Sequence, residues 1–339
     1  MKRQKMSNTL MTALTHSSFG DHTNLRVRDV PRPVAGPGEL LVEVATASPN
    51  PVDWHLYRGD PAVLRLLHPR FSEPRGVGED FAGIVAEVGA EVGGWHVGDR
   101  VFGTSPAAAK LGGSVAQFVR VRPDWVAAIS DSVSFAAGGV TGLAALTALQ
   151  GLRDFGGLTS GARVLIWGAA GGVGHFAVQI ARLLGASAVD AVVSTRSVEL
   201  AHRLGADQVF DYTKHEQPEG PYDVILDMIC AATLPQLRRM LAGSGTVVSV
   251  GAVNAGHRFG GGMAMLGRRA GAPWRGVRNR IMATKVNSAD LCLLADWLGD
   301  ERLRPLVEET FTLARAPEAY ARLEAGRVRG KLAIDCSGD

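Results

Sequence analysis

The chain has 339 residues, 46% of them apolar and 20% charged, with a formal net charge of +3. That length accommodates two domains, and so small a net charge leaves no electrostatic footprint for nucleic acid or an anionic membrane surface. No apolar run approaches the roughly 20 residues needed to span a bilayer. The opening MKRQKMSNTL is basic but lacks the apolar core of a secretory signal, so residues 1–10 read as a loose leader. Cys230, Cys292 and Cys336 are far apart and odd in number, which predicts reduced thiols and a cytoplasmic protein.

In chain order, residues 11–136 read mostly as short strands. ELLVEVATA (39–47) alternates as a half-buried strand does, after the turn-rich connector PRPVAGPGE. GIVAEVGAEV, GDRVFG, SVAQFVRV and WVAAI continue the pattern, and such a density of strands and turns predicts a small barrel or sandwich. The helical leucine spacing of TGLAALTALQGL then opens a different region. Strands and helices alternate there: RVLIW, GHFAVQIARLLGA, AVDAVVST, SVELAHRLGA, DQVFDY, YDVILDMI, TLPQLRRML and TVVSVGAV. That alternation predicts a parallel, doubly wound sheet. NSADLCLLADWLGD reads as a helix capped by Asn287 or Ser288. EETFTL, PEAYARLEAG and KLAID return as strand, helix and strand, a tail expected to pack on the first domain. The boundaries predicted are 1–136, 137–287 and 288–339.

Between RVLIW and its helix, Ala169-Ala170-Gly171-Gly172-Val173-Gly174 reads as A-x-G-x-x-G, the dinucleotide fingerprint with alanine in the first glycine position. Gly171 would admit a pyrophosphate against bare backbone, and Gly174 would let the helix pack closely on its strand. The helix N-terminus adds free N–H groups and a partial positive charge. Where an NAD enzyme carries an acidic residue after the second strand, this chain has Ser194-Thr195-Arg196, which suits a 2′-phosphate and favours NADPH. Asp190 sits mid-strand, too early to meet a ribose.

With GPGELLVEV, NPVDWHLYRGD, GEDFAGIVAEVG, GDRVFG, AAGGVG, STRSVELAHRLGADQVFDY, YDVILD and RGKLAID in this order, the chain resembles the medium-chain dehydrogenase/reductase superfamily, in its zinc-free, quinone oxidoreductase-like (zeta-crystallin-like) branch. The resemblance implies an α/β protein: a GroES-like β-barrel catalytic domain interrupted by a Rossmann-type doubly wound parallel sheet domain, with NADPH between them. It implies a small-molecule substrate (a quinone, an enone or an acyl thioester), often a homodimer, and Tyr212 in the 2′-phosphate site. The family's zinc ligands would fall on Asn50, Gly78 and Glu79, of which only Glu79 has a ligating side chain for zinc.

Without a Lewis acid, conjugate reduction is favoured over alcohol oxidation, because an enolate or quinol oxygen needs only hydrogen-bond donors. The candidates are His55, Tyr57 and Asn50, with Asn50 and Asp53 also shaping the NPVDWHLYRGD loop. His55 is either a general acid near neutral pH or a polar wall residue. Thr141 would replace a hydroxyl that relatives carry at the position of Ala144. Gly251 and Val253, in VGAVN at the carboxyl edge of the sheet, would offer backbone to the nicotinamide carboxamide. FGGGMAMLGRRAGAPWRGVRNR (259–280) reads as a solvated loop, with a substrate lid or a dimer edge as alternatives. The function expected is zinc-independent, NADPH-dependent reduction of an activated C=C bond or quinone. A carbonyl/alcohol dehydrogenase and a non-catalytic NADPH-binding protein are the alternatives.

Overall fold

The computed structural model describes residues 9–60, 65, 73–106, 112–250, 267 and 270–338. The chain divides into two compact units, residues 1–143 with 286–339, and residues 144–285.

The first unit is built on the strand Leu40–Ser48. It pairs antiparallel with Asp80–Val88, Phe118–Val121 and the C-terminal Lys331–Asp335, within a seven-stranded sheet. The tail thus supplies two strands, Val307–Thr312 and Lys331–Asp335, paired parallel to each other. A second sheet joins Leu10–His16 to Arg26–Pro31 and Arg75–Gly76. Leu14, Leu40, Phe81, Tyr57 and Tyr320 meet in one apolar core.

Leu40–Ser48 is buried along nearly its whole length, with Glu43 alone exposed, rather than half-buried as its alternation predicts. The short helix Phe135–Gly139 packs against it. A Cβ on Gly139 would lie 2.7 Å from the Thr46 carbonyl oxygen, so only glycine allows that approach. This packing holds residues 135–143 in the first unit, and the division falls after Leu143 instead of after residue 136.

The second unit is a six-stranded sheet in which every adjacent pair is parallel. Its order is Val209–Asp211, Ala188–Val193, Arg163–Trp167, Tyr222–Asp227, Leu241–Ser249, Arg278–Ile281. Numbered along the unit this is 3-2-1-4-5-6, the doubly wound Rossmann order, and it reverses between Arg163–Trp167 and Tyr222–Asp227. The helices Gly174–Leu183, Val198–Arg203 and Leu234–Met240 connect strands of this sheet. Thr233 caps the last of them by accepting from the Gln236 N–H, while Gln236 accepts from that of Thr233.

Two stretches read as loops are ordered elements. NPVDWHLYRGD is the helix Pro51–Arg58, with Pro51 in its first turn and Gly59 closing it at φ 63°. The end of the 259–280 stretch is the sheet's sixth strand, Arg278–Ile281, while residues 259–266, 268 and 269 lie outside the described residues. Among the described residues no helix is long and apolar enough to cross a membrane.

Candidate functional site

At the switch point the chain leaves Arg163–Trp167 through Gly168, held at φ 89° with its N–H on the Val192 carbonyl. Gly168, rather than Ala169, therefore makes the tight turn, and Ala169 is fully buried beneath it. A Cβ on Gly174 would come within 2.2 Å of the Gly168 carbonyl oxygen and 2.6 Å of the Ala169 Cα, so the helix start and the strand exit touch through bare backbone. Gly171 differs. A Cβ there would meet nothing closer than the Gly168 oxygen at 3.5 Å, so local packing does not demand glycine. The bare position leaves the surface beside half-buried Ala170, Gly172 and Val173 uncovered. His175, absent from the sequence reading, fixes this turn: its backbone N–H and its Nδ1 both reach the Gly171 carbonyl, at 3.0 and 3.1 Å.

Ser194, Thr195 and Arg196 follow the second strand, as the sequence places them. Arg196 is exposed and Tyr212 is 56% exposed. Thr195 turns its hydroxyl inward, donating to Asp211 and lying 2.7 Å from the Thr213 hydroxyl. Asp211 also accepts from the Thr213 N–H at 2.9 Å, and Lys214 stands 3.9 Å away. Burial opposes its ionisation, but the hydrogen bonds from Thr195 and Thr213 outweigh it and hold the carboxyl below its usual range. Asp211 is thus an internal carboxylate satisfied by its neighbours, a role that sequence reading missed. Asp190 is buried mid-strand, accepting from the Tyr222 hydroxyl at 2.8 Å. Gly251 and Val253 lie outside the described residues.

In the first unit the other candidates resolve into a buried polar cluster. Asn50 is 4% exposed; its Nδ2 donates to Asp80 at 2.8 Å, and its Oδ1 accepts from Lys331. The Lys331 ammonium is 3.3 Å from the same Asp80 oxygen. The other oxygen of Asp80 accepts the Leu143 N–H at 2.7 Å. One oxygen of Asp53 accepts from the Asn50 N–H at 2.8 Å and the Tyr320 hydroxyl at 2.9 Å. Asn50 is therefore committed to structure. Nearby, the buried hydroxyls of Thr104 and Ser105 have no hydrogen-bond partner among the described residues, and Thr104 pairs with Asp80 across the sheet. Sequence reading gave no hint of either.

Burial, reinforced by the neighbouring Glu79, raises the Asp53 carboxyl to about 8. In the unfolded chain it titrates near pH 4. A folded-state value above the unfolded one means that this group's stabilising contribution is complete below about pH 4 and is lost as pH rises through about 8. Asp53→Asn, which mimics the protonated acid, is expected to gain thermal stability relative to wild type across that interval. Parallel melting curves from pH 4 to 9 would refute the assignment.

Two candidates are corrected by their surroundings. Tyr57 is 1% exposed and donates its hydroxyl to Glu324, which also binds Arg58 and His22 at 2.7 Å each, so this phenol is a core strut. Thr141 is fully buried and its hydroxyl donates to the Ala137 carbonyl at 2.7 Å, so it is no spare donor. His55 is exposed on its helix, with Nδ1 3.1 Å from the Asp60 carbonyl. A carbonyl only accepts, so Nδ1 carries the proton. Partial desolvation of the ring lowers its pKa against the opposing pull of Asp60, which favours the neutral imidazole.

Among the described residues no three His, Cys, Asp or Glu side chains gather to hold a metal ion. Gly78 stands at φ 97°, and a Cβ there would lie 2.6 Å from a Val115 methyl and 2.8 Å from the Ser114 hydroxyl. A histidine cannot occupy that position in this backbone. His96 is exposed beside Asp99, and His68 lies outside the described residues.

Comparison with known proteins fits this architecture. The profile described as alcohol dehydrogenase GroES-like domain matches residues 36–131, and that of a zinc-binding dehydrogenase matches residues 204–334. The human protein named NAD(P)H oxidoreductase RTN4IP1, mitochondrial, is 31% identical, covering 96% of this chain and 89% of its own length. The tomato (Solanum lycopersicum) 2-methylene-furan-3-one reductase is 30% identical over 96% of this chain and 79% of its own. The structure of the quinone oxidoreductase from Coxiella burnetii superposes with a TM-score of 0.85 at 30% identity, covering 96% of this chain and 99% of that one. The chain belongs to the medium-chain dehydrogenase/reductase superfamily, as a GroES-like domain with a Rossmann domain. Within it, the chain falls in the quinone oxidoreductase-like branch.

Proposed function

We propose that the protein is a zinc-independent, NADPH-dependent reductase of quinones or activated C=C bonds. The observation that carries this reading is the glycine turn at the sheet's switch point, where Gly174 is required by backbone contact and Gly171 is left bare without packing need. The human and tomato relatives, an NAD(P)H oxidoreductase and a 2-methylene-furan-3-one reductase by name, support the reaction class. The closed surroundings of Gly78 support a reaction without zinc.

Bound at this turn, NADPH would supply the hydride. The amides of residues 172–174 would hold the pyrophosphate, the Gly171 N–H being already engaged by the Gly168 carbonyl at 3.1 Å, and Ser194, Arg196 and Tyr212 would meet the 2′-phosphate. Arg196→Ala is expected to weaken NADPH binding about 10- to 100-fold, the worth of a charged hydrogen bond, while leaving NADH binding nearly unchanged. Equal losses for both nucleotides in calorimetry would remove the 2′-phosphate assignment. His55 turns Nδ1 to the Asp60 carbonyl and its pKa is lowered by partial desolvation, which disfavours it as the acid, and water would supply the proton to the enolate or quinol oxygen. His55→Gln is accordingly expected to leave the pH dependence of kcat unaltered; loss of an acid limb near neutrality would restore it as the proton donor. The overall reading is tested by following NADPH absorbance with a quinone, an enone and an enoyl thioester, alongside metal analysis. Binding of NADPH without turnover of any of them, or stoichiometric zinc in the active protein, would overturn it.

A further inference from the structure

The amino ends of the parallel strands, opposite the glycine turn, form a recess of about 440 Å³ in the Rossmann unit. Its lining includes Arg278, Arg280, Thr159, Ser160, Ser244 and Asp223. Arg278 and Arg280 stand two residues apart on the strand Arg278–Ile281, which places both side chains on one face of the sheet. Each guanidinium is anchored to a main-chain oxygen, Arg278 to Ser244 at 3.3 Å and Arg280 to Phe155 at 3.0 Å. Neither makes an ion pair among the described residues, although a guanidinium offers five N–H donors. The one carboxylate of the recess, Asp223, accepts the Arg163 N–H at 2.9 Å. Gly157 and Gly161, at φ 67° and 85°, contribute backbone alone to the wall, and a Cβ on either would meet nothing within 4 Å.

Two exposed arginines, each with one main-chain hydrogen bond, share the recess with one carboxylate and with Thr159, Ser160 and Ser244. We infer that this recess binds a phosphoryl group, from inorganic phosphate or a small phosphate monoester, at a site separate from the glycine turn and independent of nucleotide binding. Forked donors suit a tetrahedral dianion, and serine and threonine residues line the same recess.

The test is calorimetric titration of the full-length protein, saturated with NADPH, at constant ionic strength. Inorganic phosphate is the first probe and phenyl phosphate the second. Saturable binding is expected, weakened at least about tenfold in the Arg278→Gln, Arg280→Gln double variant. Ser160→Glu, which adds a carboxylate at an exposed position of the lining and leaves both arginines in the sequence, is expected to weaken it as well. Arg196→Ala, titrated in the same way without nucleotide, is expected to retain it. Tighter binding of phenyl phosphate would identify an ester as the ligand, and equal or weaker binding would identify free phosphate. No saturable binding of either probe, binding indifferent to both recess variants, or binding lost only in Arg196→Ala would overturn the site. If NADPH itself fails to bind, the same titration without nucleotide still decides the question.

Discussion

Lys331→Met is expected to destabilise the first unit by about 3–5 kcal/mol, the usual consequence of stranding one member of a buried ion pair. The lysine side chain is 4% exposed and that of Asp80 is fully buried, so water cannot replace the missing ammonium. Asn50 would lose the donor to its Oδ1 at the same stroke. A drop in melting temperature of roughly 6–20 °C follows from the size of the unit. Adding Asp80→Asn should restore part of the loss, because the amide carries no charge in need of a partner. A single variant that melts with the wild type would show that this cluster contributes nothing.

Gly171→Ala and Gly174→Ala should fail in different ways. At Gly174 the new methyl must displace the carbonyl of Gly168 and the Cα of Ala169, both backbone, so strand exit and helix start are forced apart. Overpacking of this kind costs about 1–3 kcal/mol or more, and nucleotide binding should vanish with the turn geometry. At Gly171 the methyl has room, so stability should stay within about 0.5 kcal/mol of wild type, while NADPH affinity falls because the pyrophosphate surface is filled. Calorimetry and melting curves on the two variants separate the outcomes. A Gly171→Ala variant that binds NADPH like wild type would remove the pyrophosphate from this turn.

The Rossmann unit was legible because its determinants are local. β-branched runs alternate with amphipathic ones, and Gly171 and Gly174 keep the fingerprint spacing. Even there, the tight-turn glycine proved to be Gly168, one position outside the motif as read, because positive φ leaves no mark on spacing. The helix Pro51–Arg58 had its signals in plain view: Pro51 in the first turn, Asp53 turned back to the Asn50 N–H, and Gly59 at the left-handed stop. Its aromatic and histidine content drew attention to chemistry instead. Arg278–Ile281 escaped notice because three polar residues among four give a strand no apolar face to read. The polar cluster was illegible for a different reason. Lys331 meets Asn50 across 281 positions and Asp80 across 251, and no sequence pattern links partners so far apart. Tyr57 looks like a donor in sequence; only its burial against Glu324 shows that the phenol is already engaged.

Because Lys331–Asp335 is sewn beside Leu40–Ser48, the first unit cannot finish its sheet until residue 335 has left the ribosome. Residues 144–285 are contiguous and suffer no such delay. The dinucleotide fold should therefore mature first during synthesis, while the earlier-made strands wait, partly edge-exposed, for their final partner. Nascent chains stalled short of residue 331 should resist protease in the middle of the sequence and remain cleavable at both flanks.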